Sequence, residues 1–251
     1  MQLFKKFIGI LEASQKDVNA PKVTAIIVAA GKGERMGIEG SKQFLPICDI
    51  PMIALTLSAF ELSRLVSKVV VVTRSEYIIA VADIVREYGF SKVLRIVKGG
   101  ETRQQSAASG LKVVDWPVDY LAVHDGARPL ITPECIDKVI EAAFENKVTA
   151  AAVKLKDTVK IADDDGFVLS TPDRRNLWAV QTPQVIEAQL YRAALEKAEK
   201  EGADYTDDCQ LCESMNERVK LVESEYTNIK VTTSDDISVA EAIFRLRGDT
   251  F

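Results

Sequence analysis

The sequence predicts an α/β fold in which a mostly parallel β-sheet carries helices on both faces. Short apolar, β-branched runs alternate with segments of helical apolar spacing along most of the chain, and this order is typical of a parallel sheet. The 251 residues and the hydrophobic content of 47% suit one core of this kind. No apolar run approaches the ~18 residues that a membrane-spanning helix needs. In such folds, ligands bind at the carboxyl ends of the strands.

The individual elements follow from these runs in chain order. The first strand is predicted at residues 23–28, a β-branched run that is apolar enough to be buried on both faces. Further strands are predicted at residues 68–73, 92–97, 120–124 and 150–153. Helices are predicted at residues 51–63, 78–88, 104–114, 133–146, 185–200 and 234–245.

The alternation breaks at about residues 154–176. Residues 156–162 and 166–170 flank an acidic turn that ends in Asp165-Gly166, which predicts a β-hairpin. A two-stranded hairpin is not stable alone in water, so this arm is expected to lie on the body or on another subunit. No linker or internal repeat divides the rest, and residues 21–251 are predicted to form a single domain that carries the arm.

Residues 1–20 are predicted to form an N-terminal amphipathic extension. Their apolar spacing fits a short helix, and Lys5 and Lys6 interrupt the apolar stretch that a secretion signal would need. The extension is expected to pack on the body or to fray as a tail, with contact to a membrane surface as the alternative.

Charge and cysteine content narrow the class further. The net charge of −5 argues against a general nucleic-acid-binding protein. The four cysteines are too sparse for a disulfide scaffold in a chain of this length, so a cytoplasmic location is expected. Cys209 and Cys212 have CxxC spacing but lack a second pair, so they are expected to pack on a helix rather than to bind zinc or carry redox chemistry.

The most informative segment follows the first predicted strand, at residues 29–37. Its glycines would let backbone N–H groups approach a polyphosphate, and Arg35 and Lys42 add two cations. It is not a dinucleotide fingerprint, because Met36 stands where the last glycine is needed, and it is not a Walker loop, because Gly37 precedes Ile38. The plain alternative is a tight strand–helix connection.

Two further loops follow predicted strands. Gly99-Gly100 could present backbone groups to a base edge together with Ser106, and helix capping by Thr102 is the alternative. In the third loop, Asp125 is placed for a ribose hydroxyl or a metal, and Arg128 for a second anionic substrate. The adjoining His124 is interpreted as structural, because a phosphate nucleophile has no proton that a base must remove.

Six motifs in this order resemble one family. They are AAGKGERMG with Lys42, GGETRQQS, HDGARP, DRRNLWAVQTPQ, YTDD and NIKVTT, and they run from about residue 23 to residue 246. Together they resemble the sugar-phosphate cytidylyltransferases, most of all the 2-C-methyl-D-erythritol 4-phosphate cytidylyltransferase family of the non-mevalonate isoprenoid pathway. Departures are small: Glu101 stands where some relatives have Asp, and Gly126 where some have Ala.

The resemblance implies a Rossmann-like nucleotidyltransferase fold, a homodimer joined by swapped hairpin arms, and Mg²⁺ held mainly on the CTP phosphates, with no residue named as a metal ligand. By position, it implies catalytic roles for Arg35, Lys42 and Lys230. The residues implied in CTP binding are Ala29, Ala30, Gly31, Gly33, Gly99, Gly100, Glu101, Ser106, Asp125 and Gly126. Those implied in sugar-phosphate binding are Asp125, Arg128, Thr158, Arg174, Thr206 and Lys230.

The resemblance also implies the reaction. CMP would pass from CTP to 2-C-methyl-D-erythritol 4-phosphate, giving 4-diphosphocytidyl-2-C-methyl-D-erythritol and pyrophosphate. Two alternatives stay open: a ribitol 5-phosphate cytidylyltransferase, which shares the loops, and a non-catalytic nucleotide-binding regulator. Residues 174–178 favour methylerythritol, whereas retention of Arg35, Lys42 and Asp125 argues against a regulator.

Overall fold

A computed structural model describes residues 20–31 and 42–248, and the structural statements below refer to them. The predicted N-terminal extension lies outside the described residues except for Ala20. The strands are β1 (Val23–Val28), β2 (Pro46–Ile47), β3 (Ile50–Pro51), β4 (Val66–Thr73), β5 (Val93–Lys98), β6 (Tyr120–Asp125), β7 (Val148–Lys154), β8 (Ile161–Ala162), β9 (Val168–Ser170), β10 (Trp178–Glu187) and β11 (Lys220–Glu223). The α-helices are α1 (Met52–Leu62), α2 (Ile78–Tyr88), α3 (Arg103–Lys112), α4 (Pro133–Asn146), α5 (Ala188–Glu201), α6 (Asp208–Glu213) and α7 (Ser234–Arg247).

A central sheet of seven strands organises the fold, in the order β11-β7-β10-β6-β1-β4-β5. Its strands are parallel except β10, which runs antiparallel between β6 and β7. Alternate residues of β1 enter different cores: Ala25 and Ile27 pack with α1, α2 and α4, whereas Ile26 packs with α3, α5 and α6. Helices therefore cover both faces, which confirms the predicted α/β class.

The helix predicted near residues 185–200 was wrong at its start. Val185 and Ile186 belong to β10, where they pair with β6 on one side and β7 on the other, and α5 begins at Ala188. Both residues are fully buried. Pairing with two neighbouring strands thus overrides the apolar spacing that these residues share with the helix.

The predicted hairpin is confirmed, with shorter strands than the sequence suggested. β8 pairs antiparallel with β9, and Asp163 accepts hydrogen bonds from the backbone N–H groups of Gly166 and Phe167 across the turn. Gly166 has a φ of 86°, which a residue with a side chain adopts only with strain. Phe167 and Leu169 are largely exposed, so the arm buries little apolar surface against its own chain.

The CxxC pair lies on α6, as predicted. Both thiols are free and buried among the residues of the second core. Burial raises the pKa of Cys212 to about 12 and that of Cys209 well above its usual value. These thiols are therefore unreactive packing groups at neutral pH. Over residues 20–31 and 42–248, no helix combines the length and apolarity needed to cross a membrane.

Candidate active site

The described parts of three predicted loops meet at the carboxyl edge of the sheet. The register places Val28 of β1 beside Asp125 of β6 on one side and Val72 of β4 on the other, and β5 completes the row. The edge borders a cavity of about 600 Å³. Among the predicted site residues that the structure describes, those lining it are Ala30, Gly31, Lys42, Gly99, Gly100, Glu101, Ser106, Asp125 and Lys230.

Asp125 is the centre of charge in this cavity. Its carboxylate contacts Lys230 Nζ at 2.7 Å and Arg103 Nε at 3.0 Å, and Arg128 Nε lies 4.0 Å away. Burial alone would raise the pKa of Asp125, but the three cations outweigh it and hold the pKa well below the usual carboxyl range. The carboxylate is therefore ionised at neutral pH and is surrounded by an excess of positive charge.

Arg103 is held between two carboxylates, and sequence reasoning missed it. Besides Asp125, its guanidinium contacts Asp208 at 2.6 Å, and Asp208 accepts a further hydrogen bond from the buried Tyr191 hydroxyl. Burial alone would lower the pKa of Arg103, but Asp208 and Asp125 together raise it. Arg103 and Asp208 occur in the GGETR and YTDD stretches, so the signal was present, but the pairing joins residues 105 positions apart.

The loop at residues 99–106, the base-side loop, has close backbone contacts. A Cβ added to Gly99 would stand 2.5 Å from the Ala30 Cβ and 2.7 Å from the Ser106 hydroxyl, so this position needs glycine. Of the backbone groups predicted to face a base edge, the amides already have hydrogen-bond acceptors within the protein. The N–H groups of Gly99, Gly100 and Glu101 are bonded to Thr73, Ser106 and Gln105, respectively.

The Ser106 hydroxyl is also partly used. It donates to the Thr102 carbonyl at 2.9 Å and accepts from the Gly100 N–H at 3.1 Å. A hydroxyl has one hydrogen and two lone pairs, so what remains for a ligand is an acceptor. Thr102 also caps α3 by accepting from Gln105 N, so the capping alternative holds alongside any binding role.

The first loop is described at its two ends. Gln43, in a short 3-10 turn over Lys42–Phe44, donates to the Ala29 carbonyl, and Lys42 Nζ donates to the Val231 carbonyl at 3.1 Å. These bonds hold Lys42 near the end of β1 and place its ammonium group at Val231, the residue that follows Lys230. Gly33 and Arg35 lie outside the described residues.

The remaining predicted residues do not line the described part of the cavity. Gly126 packs behind it, where an added Cβ would be 3.0 Å from the Ala29 Cβ. Arg128 lies beside Asp125 and donates to the Asn228 carbonyl at 2.8 Å. Thr206 lies two residues before Asp208, and its hydroxyl donates to the Gln210 side chain at 3.0 Å.

Thr158 and Arg174 are on the arm, away from this chain's cavity. Arg174 lies in a short 3-10 turn at the return of the arm and donates to the Lys156 carbonyl at 2.6 Å. Its guanidinium thus braces the base of the arm, and both residues are exposed.

The arrangement can hold two anionic ligands side by side. Gly31 and three cationic side chains, Lys42, Arg103 and Lys230, line the cavity together with Asp125. Fold and cavity together are those of an α/β nucleotidyltransferase.

Comparison with known proteins identifies the family. A family model described as IspD, 2-C-methyl-D-erythritol 4-phosphate cytidylyltransferase, matches residues 23–246. The enzyme of that name from Caldanaerobacter subterraneus is 45% identical over 89% of this chain and 99% of its own length, and the one from Lachnoclostridium phytofermentans is 44% identical over 91% and 98%. The chain belongs to the 2-C-methyl-D-erythritol 4-phosphate cytidylyltransferase family.

Solved structures agree with this assignment. The crystal structure of 4-diphosphocytidyl-2C-methyl-D-erythritol synthase from Anaerococcus prevotii superposes with a TM-score of 0.81 at 36% identity, covering 90% of this chain and 96% of that one. The enzyme from Thermus thermophilus superposes with a TM-score of 0.72 at 28% identity, covering 89% and 99%.

Proposed function

We propose that this protein transfers CMP from CTP to 2-C-methyl-D-erythritol 4-phosphate, releasing pyrophosphate and forming 4-diphosphocytidyl-2-C-methyl-D-erythritol for isoprenoid biosynthesis. The observation that carries the proposal is the meeting in one cavity of the described ends of the glycine loop, at Gly31 and Lys42, with the base-side loop and the Asp125 charge cluster. Family membership of the whole matched region supports the same reaction.

Charge stabilisation and positioning are the main work in this reaction. The sugar phosphate attacks the α-phosphorus of CTP in line, and both reactants are anions. Lys42 and Lys230 both line the cavity, each anchored by a hydrogen bond or ion pair of about 3 Å. In the proposal, Lys42 and Arg35 stabilise the developing charge on the α-phosphate, and Lys230 holds the incoming phosphate.

In the proposal, the base-side loop selects cytosine. Because the amides of Gly99, Gly100 and Glu101 are already bonded, the loop is left with acceptors for a base, the Ser106 hydroxyl oxygen among them. The exocyclic amino group of cytosine donates to such acceptors. Uracil would set a carbonyl oxygen against them, which leaves the groups of the site unpaired.

Magnesium is proposed to enter with the nucleotide. Mg²⁺ is commonly bound by one or two carboxylates together with substrate phosphates. Asp125, ionised and at the cavity wall, fits as such a carboxylate. When bound, the ion would neutralise the triphosphate and orient its leaving group.

The test is pyrophosphate release with CTP and each candidate sugar phosphate. Activity with the methylerythritol phosphate well above that with ribitol 5-phosphate is expected, and the reverse ranking would support the alternative cytidylyltransferase. Lys42→Ala should lower turnover by about 10²–10³. Lys112→Ala, which removes an exposed lysine at the end of α3, is the matched control. A folded protein that binds CTP but releases no pyrophosphate with any acceptor would indicate a regulator.

We further propose that the active unit is a homodimer, in which the arm carries Thr158 and Arg174 to the partner's sugar-phosphate site. The exposed apolar side chains of Phe167, Val168 and Leu169 support this, because a lone hairpin needs a surface to bury against. The four free cysteines are consistent with work in the cytoplasm.

Mixing two inactive variants, Lys42→Ala and Arg174→Ala, tests the arm exchange. With two-fold symmetry, each mixed dimer has one site with both defects and one intact site, so random exchange should restore about a quarter of the wild-type sites. Absence of recovery, with mixed dimers verified by mass spectrometry, would refute a role for Arg174 in the partner's site.

A further inference from the structure

His124 is the single histidine of the chain, and it is fully buried at the end of β6. Its ring packs against Phe60, with a centroid distance of 4.9 Å. One ring nitrogen, Nε2, lies 3.3 Å from the Arg128 carbonyl oxygen, and the other, Nδ1, lies 3.0 Å from the Thr182 hydroxyl. The ring thus spans from β10 to the far side of the turn that begins at Asp125.

The hydrogen-bond partners determine where the ring proton lies. A carbonyl oxygen only accepts, so Nε2 must carry the hydrogen that it shares with Arg128. Burial keeps the ring neutral, so Nδ1 is bare and accepts from the Thr182 hydroxyl. The Thr182 oxygen then accepts from the Asp125 N–H at 3.1 Å, which uses the hydroxyl consistently as donor to one partner and acceptor from the other.

Thr182 also reaches Arg128 by a second route. Its backbone carbonyl accepts from Asn228 Nδ2 at 3.0 Å, and the Asn228 carbonyl accepts from Arg128 Nη1 at 2.8 Å. Arg128 is therefore held through its backbone by His124 and through its guanidinium by Asn228. Both sets of hydrogen bonds begin at Thr182, on the antiparallel strand β10.

We propose that His124, as the neutral Nε2–H tautomer, is a positioning residue: it links the Thr182 hydroxyl to the Arg128 carbonyl by hydrogen bonds and so fixes the turn that presents Asp125 to the sugar phosphate. This role rests on the proposed function. His124 is not a catalytic residue, because its ring is sealed from the cavity. The turn has three other backbone ties: from Arg128 N–H to the Asp125 carbonyl, from Gly126 N–H to the Val28 carbonyl, and from Val231 N–H to the Ala127 carbonyl. None of these links the turn to β10.

The first test reads the tautomer directly. Protein labelled with ¹⁵N-histidine has one ring to observe, so a long-range ¹H–¹⁵N spectrum at pH 7 is unambiguous. A protonated, pyrrole-type Nε2 and a bare, pyridine-type Nδ1 are expected. An Nδ1–H tautomer or an imidazolium would overturn this hydrogen-bonded link. The tautomer is measured without enzyme turnover, so its result does not depend on whether the proposed reaction is correct.

The second test separates positioning from simple packing. Thr182→Val removes the hydroxyl and keeps the shape, and Thr182→Ser retains the hydroxyl. Thr149→Val is the matched control, because Thr149 is equally buried and loses one hydrogen bond, to the Val139 carbonyl.

We expect Thr182→Val to raise the KM for the sugar phosphate about tenfold, with the Kd for CTP changed less than about threefold. Thr182→Ser should stay close to wild type, and the ring signals should change in Thr182→Val but not in Thr149→Val. Equal kinetic effects of Thr182→Val and Thr149→Val would overturn the positioning role.

Discussion

Asp208→Asn is the perturbation with the clearest consequence. The change removes one negative charge with little change of shape, at a side chain that is only 2% exposed and that contacts Arg103 at 2.6 Å. Asp125, Asp208, Arg103, Arg128 and Lys230 form a cluster of two carboxylates and three cations, with a net charge of +1. The substitution raises it to +2 and leaves Arg103 with one carboxylate.

The magnitude follows from burial. Removing one partner of a fully buried ion pair costs about 3–5 kcal/mol, because the other charge is left without compensation. Arg103 keeps Asp125 and is about a quarter exposed (23%), so the loss should be smaller, about 2–3 kcal/mol of unfolding free energy. Catalytic efficiency should also fall, because Arg103 no longer holds Asp125 from a fixed position.

The measurement is urea-induced unfolding at pH 7, with pyrophosphate release on the same preparations. Asp207→Asn is the matched control: it makes the same change one residue earlier, at the N-cap of α6, where Asn caps about as well as Asp. The control should stay within about 0.5 kcal/mol of wild type. If Asp208→Asn unfolds at the same urea concentration as Asp207→Asn, the ion pair adds no net stability and the reasoning fails.

Three further predictions follow from the same region. Gly99→Ala should weaken CTP binding and destabilise the protein by about 1–3 kcal/mol, because the new methyl group would stand 2.5 Å from the Ala30 Cβ. An unchanged CTP affinity in calorimetry would show that the loop can shift to accommodate the methyl group. Burial lowers the pKa of His124 from 6.5 to about 3. Between these two pH values the unfolded chain binds a proton at His124 and the native state does not. The contribution of neutral His124 to the free energy of unfolding is therefore full above pH 6.5 and should fall by about 1.4 kcal/mol for each pH unit below 6.5. Unfolding of His124→Gln at several pH values should lack this slope; Asp125, Arg128 and Arg103 are the charges that most affect His124 and are retained in both proteins. Arg35→Ala should lower turnover about as much as Lys42→Ala, with melting temperatures that stay close to wild type, and near-normal turnover in rapid-quench assays would remove Arg35 from the α-phosphate.

Local patterns were sufficient for most of the layered fold. The helix over Ile78–Tyr88 and the helix over Pro133–Asn146 have the predicted bounds, because their apolar spacing and flanking residues are local signals. The hairpin was also readable, because Asp165-Gly166 supplies the turn by itself. The strand β10 was not, because its residues become a strand only through pairing with β6 and β7.

The candidate site divides in the same way. The loops after β1, β5 and β6 could be identified from sequence, since glycines and charged residues at strand ends have a local meaning. The sequence by itself determined which chemical groups gather at the carboxyl edge of the sheet. Only the tertiary structure decided which of them pair. The Arg103–Asp208 ion pair and the His124–Thr182 hydrogen bond join residues 105 and 58 positions apart. The Gly99 N–H is likewise bonded to the carbonyl of Thr73, which lies on the neighbouring strand. Such pairings depend on strand order and register, which a local pattern of side chains does not encode.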